Sequence, residues 1–389
     1  MQRLWTKDYI LGISINFLVM VNYYMLVVIM TDYALKFYDV SVTIAGLTAV
    51  IFIIGATLSR LICGAVMEKV GRTRMLMIFL LLNLFMSGLY FFVHNIVLLL
   101  AVRAVHGVSY GAVSTAIGTI AASVIPKSRS GEGIGYYMLS TTLAAAVGPF
   151  LGMTFHGNGG FTLLFAVCCA LTGSATLAAL FITRQPPSES SAAPKTAAER
   201  GWRAFLEPKA FRISGFAAAF YIGYSALLTY LTIYAAEKGM ASAGRFFFVV
   251  YALSIFVSRP VTGPLFDKKG EAAVLLPAFL AFAAGMLLLG WCPNSVVLLI
   301  SAALLGFGVG VTQSTGLASA VKEAPPQRLA VVNSTFYIFL DVAVGLGPVL
   351  MGFILSATGN SYPLLYTGLG FFSLAVTAVY FVFRPRRSF

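Results

Sequence analysis

One stretch of this sequence occurs twice. Residues 59–71 read SRLICGAVMEKVG and residues 258–270 read SRPVTGPLFDKKG, at an offset of 199 residues. Without any gap, the same offset pairs Gly107 with Gly306, Gly111 with Gly310, Pro126 with Pro325, Arg129 with Arg328, and Gly148-Pro149 with Gly347-Pro348. A register that persists this far along the chain indicates an internal duplication, so we expect two copies of one structural unit.

The composition excludes an ordinary soluble protein. Hydrophobic residues make up 59% of the 389 residues and charged residues only 10%, and the mean hydropathy is +0.90. These values predict an integral membrane protein. The net charge of +13 comes from short basic groups between apolar runs, a pattern typical of topology signals and not of a nucleic-acid surface. The cysteines have no ligand-spaced partners, which favours packing roles over a metal or disulfide site.

Twelve apolar runs are each long enough to cross a bilayer as an α-helix. The first covers about Tyr9–Thr31, which spans a hydrocarbon core of about 30 Å and is too long for a signal peptide. The others lie near residues 43–66, 74–95, 97–122, 133–155, 161–183, 213–235, 243–266, 272–292, 296–319, 329–355 and 361–383. The fold class predicted is therefore an all-α membrane protein with twelve helices in two pseudo-symmetric six-helix bundles.

The basic residues predict how the chain is oriented. Both termini and the loops on their side hold 20 of the 26 Lys and Arg residues, whereas the opposite side holds three. The positive-inside rule therefore places both termini in the cytoplasm, with the protein in the cell inner membrane. We expect an N-terminal bundle over residues 1–183, a cytoplasmic linker over 184–212 that is rich in Ser, Pro and Ala, and a C-terminal bundle over 213–389.

These features resemble the major facilitator superfamily of secondary transporters over the whole chain. The family's signature loop, G-x-x-x-D-R-x-G-R-R, is matched here by Gly64, Glu68, Lys69, Gly71, Arg72 and Arg74, with Glu in place of Asp. The resemblance implies a charge latch that breaks and reforms during transport. Its other members are expected to be Arg60, Arg129, Arg259, Gly263, Asp267, Lys268, Gly270 and Arg328. The simpler alternative is that these residues only anchor the chain on the cytoplasmic side.

Two further segments resemble elements of proton-coupled drug exporters. Residues 103–107, RAVHG, are similar to R-x-x-Q-G with His106 in place of Gln. An arginine inside an apolar run, such as Arg103, is energetically unfavourable in the membrane unless it faces a partner or a water-filled cavity. His106 either carries a proton during transport or packs through a hydrogen bond. Residues 143–152 resemble the antiporter element G-P-x-x-G through Gly148, Pro149 and Gly152, with a looser copy at Gly347 and Pro348. These small residues are expected to let helices pack closely.

Acidic residues are scarce within the apolar runs. Asp341 lies near the middle of one, and Asp32 lies at the outer end of the first helix. Since an intramembrane carboxyl is a functional candidate by default, we expect Asp341 to exchange protons, with Asp32, Arg103 and His106 as further coupling candidates. The alternative is that Asp341 is permanently neutralised and only orders its helix.

Polar and aromatic side chains within the runs are candidates for the substrate site. They are Asn22, Tyr23, Tyr110, Tyr137, Tyr224, Gln313, Asn333 and Tyr337. Tyrosines near helix ends also occur as interfacial belt residues, which leaves a structural role open for each of them. Residues in mid-helix have less reason to face lipid and are the better candidates.

The resulting hypothesis is a proton-coupled exporter that works by alternating access. Its expected partners are protons, the lipid bilayer and a small amphipathic or zwitterionic organic molecule, with no nucleic acid, metal or cofactor, and the protein is expected to be a monomer. Proton-coupled import of a metabolite remains an alternative. The sequence contains no HExxH element, paired carboxylates or nucleophile elbow, so neither an enzyme nor a receptor is expected.

Overall fold

The computed structural model describes residues 4–38, 40, 42–183, 201–359 and 361–383, and no β-strand occurs in this part of the chain. Its α-helices are α1 (Lys7–Tyr38), α2 (Val42–Val70), α3 (Arg72–Leu89), α4 (Ile96–Val124), α5 (Ser130–Ala179), α6 (Pro208–Glu237), α7 (Ala241–Lys269), α8 (Ala272–Trp291), α9 (Ser295–Glu323), α10 (Leu329–Ala357) and α11 (Tyr362–Phe383).

Helix α5 contains two helical segments. They meet at Gly160, whose φ of 66° and ψ of −169° are not helical and are open to glycine without strain. The break falls between two of the predicted apolar runs, 133–155 and 161–183. The predicted all-helical fold of two six-helix halves is therefore confirmed, with α5 supplying the fifth and sixth helices.

The outer surface of the helices is suited to lipid. Eleven spans in the described part of the chain, of 20 to 29 residues each, are long and apolar enough to cross a membrane. Large apolar side chains such as Phe85 on α3 and Phe371 on α11 are more than half exposed. In water such a surface would be unfavourable, but acyl chains solvate it well, so the chain is a multi-pass membrane protein.

The chain divides into two compact units. Unit 1 comprises Met1–Pro126, Leu143–Ala210 and Glu323–Ile338, and unit 2 comprises Lys127–Thr142, Phe211–Lys322 and Phe339–Phe389. The units follow the two sequence halves except at the first turns of α5 and α10, each of which clusters with the other half. The predicted domain limits at residues 183 and 213 stay a prediction.

Glycines hold the paired helices of each unit at backbone contact. In unit 1, a Cβ on Gly107 of α4 would lie 2.9 Å from the carbonyl carbon of Phe52 on α2. In unit 2, a Cβ on Gly306 of α9 would lie 2.9 Å from the carbonyl carbon of Tyr251 on α7. Gly306 lies 199 residues after Gly107, and Tyr251 lies 199 residues after Phe52. The duplicated sequence therefore repeats this packing contact.

Substituting one of these glycines is expected to force the helices apart. In Gly107→Ala, the new methyl group meets backbone atoms of Phe52 that cannot rotate away, so the free energy of unfolding is expected to fall by about 1–3 kcal/mol. Thermal unfolding of the purified protein in detergent measures this change. Gly88→Ala is the matched control, because no described atom lies within 4 Å of its added Cβ. Equal stability of the two variants would contradict the packing argument.

Candidate functional site

Asp267 caps the N-terminus of α5 from a different helix. Its Oδ1 accepts a hydrogen bond from the Gly131 N–H at 2.8 Å, and its Oδ2 accepts one from the Glu132 N–H at 3.1 Å. The first N–H groups of a helix have no partner within the helix and carry partial positive charge, so a carboxylate satisfies them well. The predicted latch residue Asp267 is thus the point at which α7 is attached to α5.

Small residues make this attachment possible. A Cβ on Gly263 would lie 2.7 Å from the Cα of Glu132, and one on Gly135 would lie 3.8 Å from the Cδ of Arg259. We call this contact, formed by residues 131, 132 and 135 of α5 and residues 259, 263 and 267 of α7, the α5–α7 seam. Because the helices run antiparallel along it, Asp267 closes one end and Arg259 lies towards the other.

The remaining latch candidates of unit 2 surround the ends of the seam. Arg129, just before α5, donates to both carboxylate oxygens of Glu132 at 2.7 and 2.6 Å, and this pairing raises the pKa of Arg129. Lys268 is exposed in the last turn of α7. Gly270 ends α7 with a φ of 80°, a left-handed conformation that favours glycine.

Unit 1 contains a related contact between α2 and α10. A Cβ on Gly64 would lie 2.9 Å from the Cβ of Ser334, so α2 and α10 approach as closely here as α5 and α7 do. Gly71 has a φ of 95° and permits the turn between α2 and α3, whereas Lys69 is exposed and Arg72 partly exposed. The side chains of Glu68, Asp32 and Pro149 lie outside the described residues, so their roles stay predictions.

Arg328 is paired with an acid that the sequence analysis did not single out. It forms an ion pair with the largely buried Glu207, which precedes α6, and also donates to the Arg203 carbonyl at 2.7 Å. The Glu207 N–H in turn donates to the Thr335 hydroxyl at 2.9 Å. The start of α10 is therefore tied to the segment that leads into α6. In the sequence, Glu207 could have been recognised as an acid that directly precedes Pro208, the first residue of α6.

Arg60 lies among aromatic rings well inside the helices. Its guanidinium carbon lies 4.9 Å from the ring centre of Tyr337 and 5.7 Å from that of Tyr110, and the side chain is 3% exposed. Eight residues along a helix correspond to about 12 Å, so Arg60 is remote from the Glu68 end of α2, with which it was grouped. The Tyr110 ring stacks on Tyr23 at 4.6 Å, and its hydroxyl donates to the Met20 sulfur at 3.2 Å.

The other predicted substrate residues are distributed over both units. In unit 1, Asn333 is buried and donates to the Thr115 carbonyl at 3.2 Å, and Asn22 is buried as well. In unit 2, Tyr137 is buried, Tyr224 stacks on Tyr251 at 6.0 Å, and Gln313 is partly exposed. Asn333 and Tyr337 lie one turn apart on α10, and the partly exposed Asp341 follows one turn later on the same face.

Arg103 and His106 belong to a buried polar cluster in unit 1. The Arg103 Nε donates to the Thr48 carbonyl at 2.9 Å and its Nη1 donates to the Tyr90 hydroxyl at 3.4 Å, while its guanidinium lies over the Phe52 ring. The same hydroxyl lies 2.9 Å from His106 Nδ1. Among the described side chains no carboxylate pairs with Arg103, so dipoles and an aromatic face stabilise its charge. Tyr90 was not predicted, because no local pattern marks it.

The glycine and proline elements of α5 and α10 contact the first helix of each half. A Cβ on Gly148 would lie 2.6 Å from the Cβ of Tyr24, and one on Gly152 would lie 3.1 Å from the Met25 carbonyl oxygen, both on α1. On α10, a Cβ on Gly347 would lie 2.7 Å from the Cβ of Ser225, and the Pro348 carbonyl accepts from the Tyr230 hydroxyl at 3.0 Å. These are close approaches between helices at Gly148, Gly152 and Gly347, and the assignment of the elements to helix packing stays a prediction. In the described part of the chain no group of acids, histidines and cysteines has metal-ligating spacing.

The sequence model of the Major Facilitator Superfamily matches residues 12–279 and 241–388. The chain belongs to the major facilitator superfamily. It is therefore a membrane transporter, and the duplicated halves, the glycine contacts and the seam are features of a superfamily member.

Two relatives resemble this chain over different shares of its length. An uncharacterised MFS-type transporter of Methanocaldococcus jannaschii is 23% identical over 299 residues, which cover 74% of this chain and 75% of that protein. A multidrug resistance protein B homologue of Mycobacterium tuberculosis is 30% identical over 132 residues, which cover 34% of this chain and 24% of that protein. The second match thus spans about a quarter of that relative.

Solved structures of the superfamily resemble this chain over nearly its full length. The human organic anion transporter MFSD10 (TETRAN) aligns with a TM-score of 0.79 and 15% identity, over 96% of this chain and 98% of its own. The E. coli fucose:proton symporter FucP aligns with a TM-score of 0.77 and 17% identity, over 99% and 100%. At such identities the likeness establishes the fold alone.

Removing the Tyr90 hydroxyl is expected to destabilise the buried cluster. In Tyr90→Phe, a buried Arg103 N–H loses its acceptor and His106 loses its partner, which costs about 1–3 kcal/mol in the free energy of unfolding. Thermal unfolding measures the loss. Tyr366→Phe is the control, since the buried Tyr366 hydroxyl has no hydrogen-bond partner among the described residues. A Tyr90→Phe protein as stable as this control would show that the cluster contributes nothing.

Removing the Asp267 carboxylate is expected to release the N-terminus of α5. In Asp267→Ala, the cap is lost at a cost of about 1 kcal/mol, which corresponds to roughly fivefold faster amide exchange at Gly131 and Glu132. Hydrogen exchange read by mass spectrometry measures this change. The N-terminus of α4 is the internal control, because its Leu98 N–H donates to Asn95 at 2.8 Å and does not depend on Asp267. Unchanged exchange at the start of α5 would contradict the assignment.

Proposed function

We propose that this transporter is a proton-coupled exporter that exchanges protons for a small amphipathic or zwitterionic organic molecule by alternating access. The observation that carries the proposal is the position of Asp341 near the middle of α10, a helix otherwise suited to cross the membrane. A carboxyl group at this depth is expensive when charged and exchanges a proton when its exposure changes.

The surroundings of Asp341 along α10 support a coupling role. It follows Tyr337 by one turn and Asn333 by two, so all three lie on one helix face. The Tyr337 ring lies 4.9 Å from the guanidinium carbon of Arg60. When Asp341 gains or loses a proton, the charge changes one helical turn away from the Tyr337 ring. That ring already contacts the positive charge of Arg60. Protonation of Asp341 and binding of substrate beside Tyr337 are therefore expected to compete.

Two observations support the export direction. The antiporter-like glycines Gly148 and Gly152 pack α5 directly against the backbone of α1. In addition, a relative that shares 30% identity over 132 residues is named as a multidrug resistance protein homologue. Import coupled to protons remains the alternative, and a protein described as a fucose:proton symporter shares this fold. The experiment below decides between the two directions.

The α5–α7 seam supplies a contact that can open during the cycle. It is held by two hydrogen bonds from backbone N–H groups to Asp267 and by close contacts at Gly131, Gly135 and Gly263. Such a contact can break and reform at moderate cost, because water satisfies both the carboxylate and the helix end when they separate. In the proposed cycle this seam is one of the latches that release as the protein changes conformation.

The proposed function predicts that transport depends on the Asp341 carboxyl group. In inside-out vesicles with an imposed pH gradient, we expect wild-type protein to accumulate one class of a labelled panel that contains lipophilic cations and small zwitterionic chelators. Asp341→Asn, which cannot exchange a proton, is expected to reduce gradient-driven accumulation at least about tenfold. Glu237→Gln is the control, since it makes the same chemical change at an exposed position at the end of α6.

Three outcomes of this experiment are informative. Accumulation that Asp341→Asn abolishes and Glu237→Gln preserves establishes proton antiport with Asp341 as the carrier. Accumulation that occurs only in right-side-out vesicles with the opposite gradient establishes import instead. A transport rate that changes neither with the pH gradient nor with Asp341→Asn refutes proton coupling and favours facilitated diffusion.

A further inference from the structure

Arg259 is a buried cation whose charge no described carboxylate balances. The residue lies on α7 and is 2% exposed. Among the described side chains, those that act on it electrostatically are the tyrosines Tyr221 and Tyr251, and none of the acids forms an ion pair with it. A buried arginine without a counter-ion is unfavourable for stability alone, and within a membrane protein it indicates a binding role.

The hydrogen bonds of Arg259 leave one edge of its guanidinium group open. The Nη1 donates to the Ser314 hydroxyl on α9, whereas Nε and Nη2 have no acceptor among the described residues. These two nitrogens point their N–H groups in the same direction, on the edge that faces away from Cδ. This is the pair of donors that binds a carboxylate with two parallel hydrogen bonds.

Arg103 shows that the open edge is not a general property of the buried arginines here. Its Nε donates to the Thr48 carbonyl at 2.9 Å and its Nη1 to the Tyr90 hydroxyl, so only Nη2 lacks an acceptor in the described part of the chain and the Nε–Nη2 edge is not open as a pair. In Arg103 the Nε is thus used by a neutral group of unit 1, whereas Arg259 keeps both Nε and Nη2 without an acceptor among the described residues.

The α5–α7 seam covers Arg259 and provides a route to it. Gly135 of α5 lies against the aliphatic part of the arginine, and the same two helices are joined at Gly263 and Asp267 further along. A separation of α5 from α7 along the seam would break the Asp267 cap and would also remove Gly135 from the aliphatic part of Arg259. A ligand bound at Arg259 and a closed seam are linked, because both depend on the position of α5 relative to α7.

The surroundings of Arg259 fit the body of an organic acid. Tyr221 and Tyr224 contact each other with ring centres 5.3 Å apart, and Tyr224 stacks on Tyr251 at 6.0 Å. Aromatic faces accept apolar or aromatic groups while their hydroxyls remain available for hydrogen bonds. We propose that the Nε–Nη2 edge of Arg259 binds the carboxylate of the transported molecule. This inference rests on the proposed transport function and narrows its substrate to organic acids with an apolar body.

Binding to the purified full-length protein tests the inference without requiring transport. The probes are matched pairs, indoleacetate with indoleacetamide and phenylbutyrate with phenylbutyramide, together with the cation tetraphenylphosphonium. We expect at least one carboxylate to bind at least tenfold more tightly than its amide in isothermal titration. Failure of every carboxylate to bind more tightly than its amide would overturn the inference.

Substitution of Arg259 locates the effect. In Arg259→Gln, carboxylate affinity is expected to fall to that of the amide, while Arg259→Lys retains part of it because a point charge replaces the fork. Lys269→Gln is the control, since it removes one positive charge at the exposed end of the same helix and is expected to leave affinity unchanged. Size-exclusion chromatography establishes that each variant is folded. A carboxylate preference that persists in folded Arg259→Gln would refute the assignment.

Transport assays with the same probes separate this inference from the proposed function. Carboxylate binding that depends on Arg259, without any movement driven by a proton gradient, supports the inference and refutes proton-coupled export. Gradient-driven export of tetraphenylphosphonium or of an amide, with no preference for the carboxylates, supports export and refutes a carboxylate site at Arg259.

Discussion

Close backbone contact between helices is the constraint on which this structure depends. Lipid gives apolar helices no hydrophobic reason to associate, so their packing relies on small residues that allow close approach. Here Gly107 and Gly111 of α4 meet the backbone of α2 at Phe52 and Ala56. The contact also positions the chemistry, because the same Phe52 presents its ring to the Arg103 guanidinium at 4.3 Å. In unit 1, the α2–α4 pair therefore sets both the packing and the position of a buried charge.

Three of the described arginines, Arg60, Arg103 and Arg259, are almost fully buried, and each is stabilised in a different way. Arg103 donates to a backbone carbonyl and a tyrosine hydroxyl, and Arg60 contacts the rings of Tyr110 and Tyr337. Arg259 donates to a serine and keeps an open edge beside a seam. A buried guanidinium requires compensation, and only at Arg259 is an adjacent Nε–Nη2 pair left without an acceptor among the described residues, which is the basis of the proposed carboxylate site.

Much of the fold could be predicted from the sequence because each predicting feature is local or repeated. Apolar runs fix which residues lie in lipid, and the 199-residue offset identifies which glycines perform the same packing task in both halves. The boundary at Gly160 follows from a glycine-rich turn between two runs. The candidate site was predicted less completely. Asp267 was assigned to a latch, but its actual partners, two backbone N–H groups about 135 residues earlier in the chain, have no sequence signal at all.

The sequence by itself determined that this protein is a duplicated, helical membrane transporter of the major facilitator superfamily, because hydropathy and repeat register are properties of the chain in its solvent. Only the tertiary structure decided the partner of each buried polar group. Tyr90 joins Arg103 to His106, Glu207 pairs with Arg328, and Ser314 takes one nitrogen of Arg259 and leaves the opposite edge open. These choices depend on the rotation and depth of remote helices relative to one another, and a linear pattern of apolar and polar residues does not encode those quantities.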